Sequence, residues 1–392
     1  MSPWLRMMLF LVPVTALLAL AHVYLYRRLV RDVTASRGLR RAGMGLFAGG
    51  LVGSLGARMV GGMFSSEVAR GTGIALLVWM GLVLYLLMFT LGMDVVRGVL
   101  ARVRKAPEPS EPPSPERRAF LARGVAAGAT VAGAAVSSFG TWRAFHPPDV
   151  RDIPVRLPGL PKALEGFTLV QLTDIHIGGV LQRRFVDELV ARANALKPDL
   201  IAVTGDLVDG TVPELGRYVA GFGALKARHG AYFVTGNHDY YSGVEAWTEF
   251  VRGLGLTVLR NRAVTIGDAG ASFDLLGVDD WSASRFGEAG YDLDAAMKGL
   301  RPDRASVLLA HQPSNFEVVA QRGVGLQISG HTHGGQMFPG NVLGQLIWGE
   351  QNAGLSKLGD SHLYVSRGCG FVGPPMRVAA PPEIARIILL PG

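Results

Sequence analysis

Five short apolar runs beyond residue 160 each lead into Asp, His or Asn, and that repetition restricts the fold more than any other feature of this 392-residue chain. Phe167–Leu172 precedes Asp174-Ile175-His176, Leu200–Thr204 precedes Gly205-Asp206-Leu207-Val208-Asp209, and Ala231–Thr235 precedes Gly236-Asn237-His238-Asp239. Ser306–Ala310 precedes His311, and Gly325–Ser329 precedes Gly330-His331-Thr332-His333-Gly334. Short β-rich runs bounded by Gly and Asp read as buried strands. In α/β sheets the loops at the carboxyl ends of strands converge, so clusters far apart in sequence can share one site.

The intervening segments fit that reading. Asp174, Asp206 and Asn237 are spaced by 32 and 31 residues, about one strand-helix-strand unit each. Phe185, Leu189, Ala193 and Leu196 form an apolar stripe at helical spacing that ends at Pro198. Pro213 opens a second helix, which should stop by Gly230.

Asp, His and Asn without thiolate suit Mn, Fe or Zn better than Cu(I) or an iron–sulfur cluster. Cys369 is the only cysteine, which excludes an intrachain disulfide and a cysteine-rich metal site. Taken singly the signals are weak, since a lone His is usually structural and Gly-Asn is commonly a turn. Jointly they are not: His176, His238, His311, His331 and His333 all fall at cluster positions, and only His22, His146, His229 and His362 do not. The number of ligands suggests two metal ions.

In order, Asp-x-His, Gly-Asp-x-x-Asp, Gly-Asn-His-Asp, a lone His and Gly-His-x-His, this set resembles the calcineurin-like metallophosphoesterases. The likeness runs over about residues 165–390, through Gly334-Gly335-Gln336, Val365-Ser366-Arg367-Gly368 and Pro381-Pro382-Glu383-Ile384. It is closest to the bacterial membrane-associated or exported branch, which includes phosphodiesterases and enzymes cleaving UDP-2,3-diacylglucosamine.

The resemblance implies an α/β fold, a four-layer sandwich with two central mixed β-sheets. It implies that Asp174, His176 and His333 hold one divalent metal, that Asn237, His311 and His331 hold the other, and that Asp206 bridges them. Two cations about 3.5–4 Å apart repel, and a shared carboxylate reduces that repulsion. A bridging hydroxide is then the nucleophile, His238 stabilises phosphoryl oxygens or protonates the leaving group, and Asp239 orients the His238 imidazole. Asp209 is read as a structural partner within its motif. The activity implied is phosphodiesterase or phosphomonoesterase, on an envelope or lipid-linked phosphoester. Two alternatives remain: a metal-binding but non-catalytic interaction or sensor module, and a nuclease or protein phosphatase.

Charge is divided along the chain. Residues 1–150 carry 17 Arg plus Lys against 7 Asp plus Glu, and the remainder carries 22 against 24. A nucleic-acid enzyme would carry its basic surface on the catalytic domain, so no nucleic-acid partner is expected. Met7–Tyr26 and Ile74–Met93 are twenty-residue runs without formal charge, long enough to cross a bilayer. Gly43–Phe64, apolar apart from Arg58, reads as a further span. The expected organisation is a transmembrane region over 1–105 with spans 7–26, 43–64 and 74–93, and a Pro/Glu-rich cytoplasmic linker over 106–118. A fourth span or twin-arginine-like signal follows over 119–141, then a connector over 142–161 and the phosphoesterase domain over 162–392. Arginines concentrated between the first and second spans and after the third place those loops in the cytoplasm, which makes this a multi-pass inner or cell-membrane protein with an extracytoplasmic catalytic domain.

One stretch is ambiguous. Met337, Phe338, Val342, Leu343, Leu346, Ile347 and Trp348 either pack into the core, or receive acyl chains or touch the bilayer.

Overall fold

The computed structural model describes residues 3–59, 67–103, 114–268, 270–301 and 303–392. The chain divides into a helical unit ending at Trp142, to which residues 373–376 belong, and a larger unit of residues 143–372 and 377–392.

In the first unit the apolar runs fold as helices: α1 (Pro3–Tyr26), α2 (Arg37–Met59), α3 (Glu67–Val103) and α4 (Pro115–Phe145), the last reaching into the second unit. Leu25, Phe47, Val83 and Leu86 form a small core. Beside it the Trp79 indole N–H donates to His22 Nε2 at 3.1 Å, a structural use for one of the histidines outside the clusters. Both α3 and residues 116–145 are long and apolar enough to cross a membrane. The segment expected over 43–64 coincides with α2 as far as Met59; its residues 60–64 and linker residues 106–113 lie outside the described residues.

The larger unit continues with β1 (Asp149–Leu157), β2 (Phe167–Leu172), α5 (Arg183–Ala195), β3 (Leu200–Thr204), α6 (Val212–Val219), β4 (Ala231–Val234), α7 (Asn237–Tyr241), α8 (Val244–Gly253) and β5 (Thr257–Val258). There follow β6 (Arg262–Asp268), β7 (Ala271–Gly277), α9 (Leu293–Met297), β8 (Ser306–Leu309), α10 (Phe316–Gln321), β9 (Leu326–Ser329), α11 (Gly340–Trp348), β10 (Gly354–Leu358), β11 (Ser361–Val365) and β12 (Glu383–Pro391). Two six-stranded mixed sheets result, in the orders β1-β12-β2-β3-β4-β5 and β10-β11-β9-β8-β7-β6. Within the first, β2, β3, β4 and β5 run parallel; within the second, β7, β8, β9 and β11 do.

Strand alternation builds the layers. Leu169, Leu200 and Ala202 face Phe273, Leu275, Val307 and Ile328 across the space between the sheets. Their neighbours Val170, Ile201 and Val203 point the other way, onto Val186, Leu189, Val219 and Trp247 of α5, α6 and α8. The outer face of the second sheet is covered through Leu293, Ala296 and Val319 of α9 and α10. This is the four-layer sandwich the resemblance implied. The stripe on α5 is centred on Val186, Leu189, Val190 and Ala193, while Phe185 and Leu196 are partly buried at its margin.

The region expected as a connector over 142–161 contains β1, which pairs in parallel with β12 from Asp149↔Glu383 to Leu157↔Pro391. Only Val155 and Leu157 of β1 are fully buried, and Pro154 sits within it, as edge strands allow, so the sequence carries little alternation to reveal it.

Phe273 is fully buried between the sheets, 5.2 Å edge-to-face from Phe167. Phe273→Ala leaves a cavity there and is expected to cost about 3–5 kcal/mol, measured as a shift in the chemical denaturation midpoint of this unit.

Candidate metal centre

The strand ends deliver their side chains through strained bends. Asp174, His176, Asp206, His331 and His333 have φ between 50° and 72°, a left-handed conformation that costs a residue with a Cβ about 1–3 kcal/mol and collects at functional sites. Two glycines are required by close approach: a Cβ on Gly236 would overlap Asp206, and one on Gly330 would overlap the Asp174 carboxylate.

These bends gather the expected residues. Ligand atoms of Asp174, His176 and His333 lie within 4.8 Å of one another, and so do those of Asp206, His311 and His331. Asp206 stands between the groups, its Oδ2 3.2 Å from His311 Nε2 and 3.7 Å from His176 Nε2. Its Oδ1 accepts the His238 backbone N–H at 2.8 Å. The Asp174 carboxylate is fixed by the His331 backbone N–H, 2.9 Å from Oδ1. Asn237 opens α7 with its Oδ1 buried and without a hydrogen-bond partner, and His311 Nε2 is in the same condition. Bare buried polar atoms cost about 1–3 kcal/mol each. A cation that accepts their lone pairs removes that cost, so the residues present fit divalent metal ions.

Hydrogen bonds select the ring forms. His311 Nδ1–H donates to the Thr204 carbonyl at 2.9 Å, which turns Nε2 toward Asp206 Oδ2, 3.2 Å away. His176 Nδ1–H faces both Asp209 oxygens at 3.2 Å, and its Nε2 points at His333 Nε2, 3.1 Å away. Arg377, buried and absent from the motif pattern, donates to the His333 carbonyl and to His333 Nδ1, both at 3.0 Å. A guanidinium only donates, so Nδ1 of His333 is the acceptor and its ring proton sits on Nε2, facing His176 Nε2.

Electrostatics agree. Burial opposes ionisation of Asp206, but His311, His176 and His238 outweigh it and hold the carboxyl well below the usual range. Burial opposes a charge on His176, yet Asp209, Asp206 and Asp174 raise it to about 9. The site's histidines do not move together: burial lowers His331 and, with Arg377 beside it, holds His333 well below its ordinary value.

The orienting contact on His238 differs from expectation. Asp239 accepts the backbone N–H groups of Asp206, Leu207 and Gly236 at 3.1, 2.9 and 2.8 Å, and so braces two motif loops rather than the imidazole. Asp209 makes the expected contact, its Oδ1 2.6 Å from His238 Nδ1, and thereby joins His238 to His176. Asp239 follows His238 in sequence, but α7 turns its side chain back toward β3. Neither this turn nor the return of Arg377 from the C-terminal segment has a periodic signature.

The chain is similar in sequence to known proteins. The calcineurin-like phosphoesterase family matches residues 167–335. An uncharacterized metallophosphoesterase of Helicobacter pylori is 36% identical over 255 residues, covering 64% of this chain and 67% of that protein. A metallophosphoesterase of Bacillus subtilis is 30% identical over 287 residues, covering 68% of this chain and 95% of its own length. This chain belongs to the calcineurin-like metallophosphoesterases. A zebrafish (Danio rerio) relative named transmembrane protein with metallophosphoesterase domain is 36% identical over 265 residues, covering 65% of this chain and 60% of that protein. As a metallophosphoesterase the chain is a metal-dependent hydrolase of phosphoesters, and two of its helical stretches, α3 and residues 116–145, are long and apolar enough to cross a membrane.

Proposed function

We propose that the chain hydrolyses a phosphodiester or phosphomonoester on an envelope or lipid-linked substrate outside the cytoplasm, using two divalent ions drawn from Mn, Fe and Zn. The observation that carries the dinuclear reading is Asp206, a single buried carboxylate facing His176 of one ligand group and His311 of the other. When bound, the ions supply Lewis acidity to the phosphoryl oxygens and lower the pKa of water. The chain's own residues do the rest. Asp174, His176 and His333 would hold one ion, Asn237, His311 and His331 would hold the other, and Asp206, which faces both groups, would be shared. His238 is the proton donor: with Nδ1 held by Asp209, its Nε2 is free to protonate the leaving oxygen. Its side chain is 28% exposed, which leaves room for substrate to meet it. The basic loops flanking the second and third apolar segments support the extracytoplasmic side.

Two measurements test this. The full chain in detergent should hydrolyse bis(p-nitrophenyl) phosphate with added Mn²⁺ and lose that activity on chelation; a rate indifferent to chelator overturns the metal role. Mn²⁺ at a hundred times its Kd should also stabilise the fold by about 2.7 kcal/mol, a rise of roughly 5–10 °C in Tm for a domain of this size. Orientation is read separately, by labelling a Glu249→Cys chain in intact cells with a membrane-impermeant maleimide. Label uptake supports an outward domain, and labelling only after lysis overturns it.

A further inference from the structure

The ambiguous stretch after the last ligand motif folds mostly as α11, and the structure turns it outward. Met337 is buried, but Leu346 and Ile347 are 78% and 71% exposed, Leu343 is 54% exposed, and Phe338, Val342 and Trp348 are exposed as well. Gly344 is the one buried residue of α11, where its backbone lies against the Asn352 side chain. The core reading therefore fails for all but Met337. From Gly323 to Gly349 the chain carries no Asp, Glu, Lys or Arg.

This surface adjoins the metal centre. The turn that carries His333 packs through Gly335 onto the backbone of Gly340 and Asn341, the first residues of α11. Gln336, two residues before Phe338, accepts the N–H of Val372 at 2.9 Å, which brings another partly exposed apolar residue to the same edge.

A contiguous apolar surface of this kind is unfavourable in water and marks a contact. At nine residues, α11 is about 13 Å long, well short of the roughly 20 residues that cross a bilayer. A helix of this sort can lie in the interface with its apolar side sunk about 5–10 Å into the headgroup and acyl boundary. The chain supplies the occupant. It contains helices of membrane-crossing length, and only residues 146–148 separate the end of α4 from β1, a tether of at most about 10 Å. A lipid surface is thus supplied by the same polypeptide, without any further partner. The lack of charge argues against a partner recognised through ion pairs, and Trp348 at the end of α11 is a residue type that favours the membrane–water boundary.

We propose that α11 is a membrane-interface helix, with Leu343, Leu346, Ile347 and Trp348 inserted into the lipid surface, and that it presents the metal centre to phosphoesters at headgroup level. The second half of this statement rests on the lipid-linked substrate proposed above.

The test uses the full chain in lipid vesicles, with Ile347→Cys carrying a small fluorophore and Glu249→Cys on α8 as the comparison site. Cys369 is buried and its thiol is pushed up to about 12 by burial, so it stays unlabelled. The label at position 347 should be quenched by lipids brominated along the acyl chain and shielded from aqueous iodide, with the opposite at position 249. Iodide quenching at 347 without any effect of brominated lipid overturns the proposal, as does disulfide cross-linking of two copies through Ile347→Cys. A Leu346→Ser, Ile347→Ser chain should keep its rate on soluble bis(p-nitrophenyl) phosphate and lose about tenfold or more on a phosphoester lipid in vesicles, since each withdrawn methylene weakens insertion. Equal loss on both substrates would mean a structural role and overturn it. If 347 is lipid-quenched while the unaltered chain hydrolyses no phosphoester lipid, membrane contact stands and the lipid-linked substrate falls.

Discussion

Asp206→Asn should reduce hydrolysis of bis(p-nitrophenyl) phosphate by at least about a thousandfold, some 4 kcal/mol of barrier, and lower the bound metal below two ions per chain. The substitution changes neither size nor shape, so the effect isolates charge and lone pairs. Oδ1 of Asp206 accepts the His238 backbone N–H, and Oδ2 faces the Nε2 atoms of His311 and His176. If the amide keeps its oxygen toward the His238 N–H, its NH₂ group faces the ring nitrogens and no ion can be shared there. If it turns over, two N–H donors confront each other behind α7. Either orientation removes the one anionic atom common to both ligand groups. Metal content by mass spectrometry and the Mn²⁺-dependent rise in Tm separate loss of an ion from loss of the fold. A variant within tenfold of the native rate would show that Asp206 does not bridge.

Much of this site was legible because ligand motifs sit at the ends of strands, where backbone geometry makes sequence order and spatial convergence coincide. Asp174, Asp206, Asn237, His311 and the pair His331 and His333 each follow a buried run, and the two parallel blocks of strands bring those ends together. The layers were legible for a related reason. Strands such as β3, buried on both faces, read as continuous apolar runs. What escaped were contacts made by residues that leave no periodic trace. Strand β1 has two fully buried positions and a proline, and its partner β12 lies more than two hundred residues away. Arg377 reaches His333 from a Pro- and Gly-rich segment. In Gly-Asn-His-Asp, adjacency suggested that the aspartate serves the histidine, but consecutive residues on a helix point about 100° apart, which sends Asp239 inward and leaves His238 to a carboxylate from a different loop. The apolar stretch was ambiguous because composition alone does not distinguish a core helix from an exposed one.

That exchange of partners makes the His238 site separable by mutation. His238→Ala should leave both metals bound, because Asp209 keeps its contact with His176 at 3.2 Å and no ligand of the proposed set is removed. Its kcat should fall about 10²–10⁴-fold, the usual contribution of a positioned proton donor. The deficit should depend on the leaving group. A p-nitrophenolate departs without a proton and needs little help, whereas an alkoxide needs the proton from His238 Nε2, so the loss should be much larger for an alkyl phosphoester. An equal loss on both would assign His238 to the phosphoryl oxygens instead. Asp209→Asn goes further, since one side chain serves both rings: kcat should fall and apparent metal affinity with it. Asp239→Asn should behave differently again. Asp239 holds three backbone N–H groups in the Asp206 and Asn237 loops, and the amide can accept only through its single oxygen, so the first loss is in thermal stability. If Asp239→Asn leaves Tm unchanged and alters only the leaving-group dependence, Asp239 rather than Asp209 governs the imidazole, and the pairing seen at 2.6 Å between Asp209 and His238 is not the one used in catalysis.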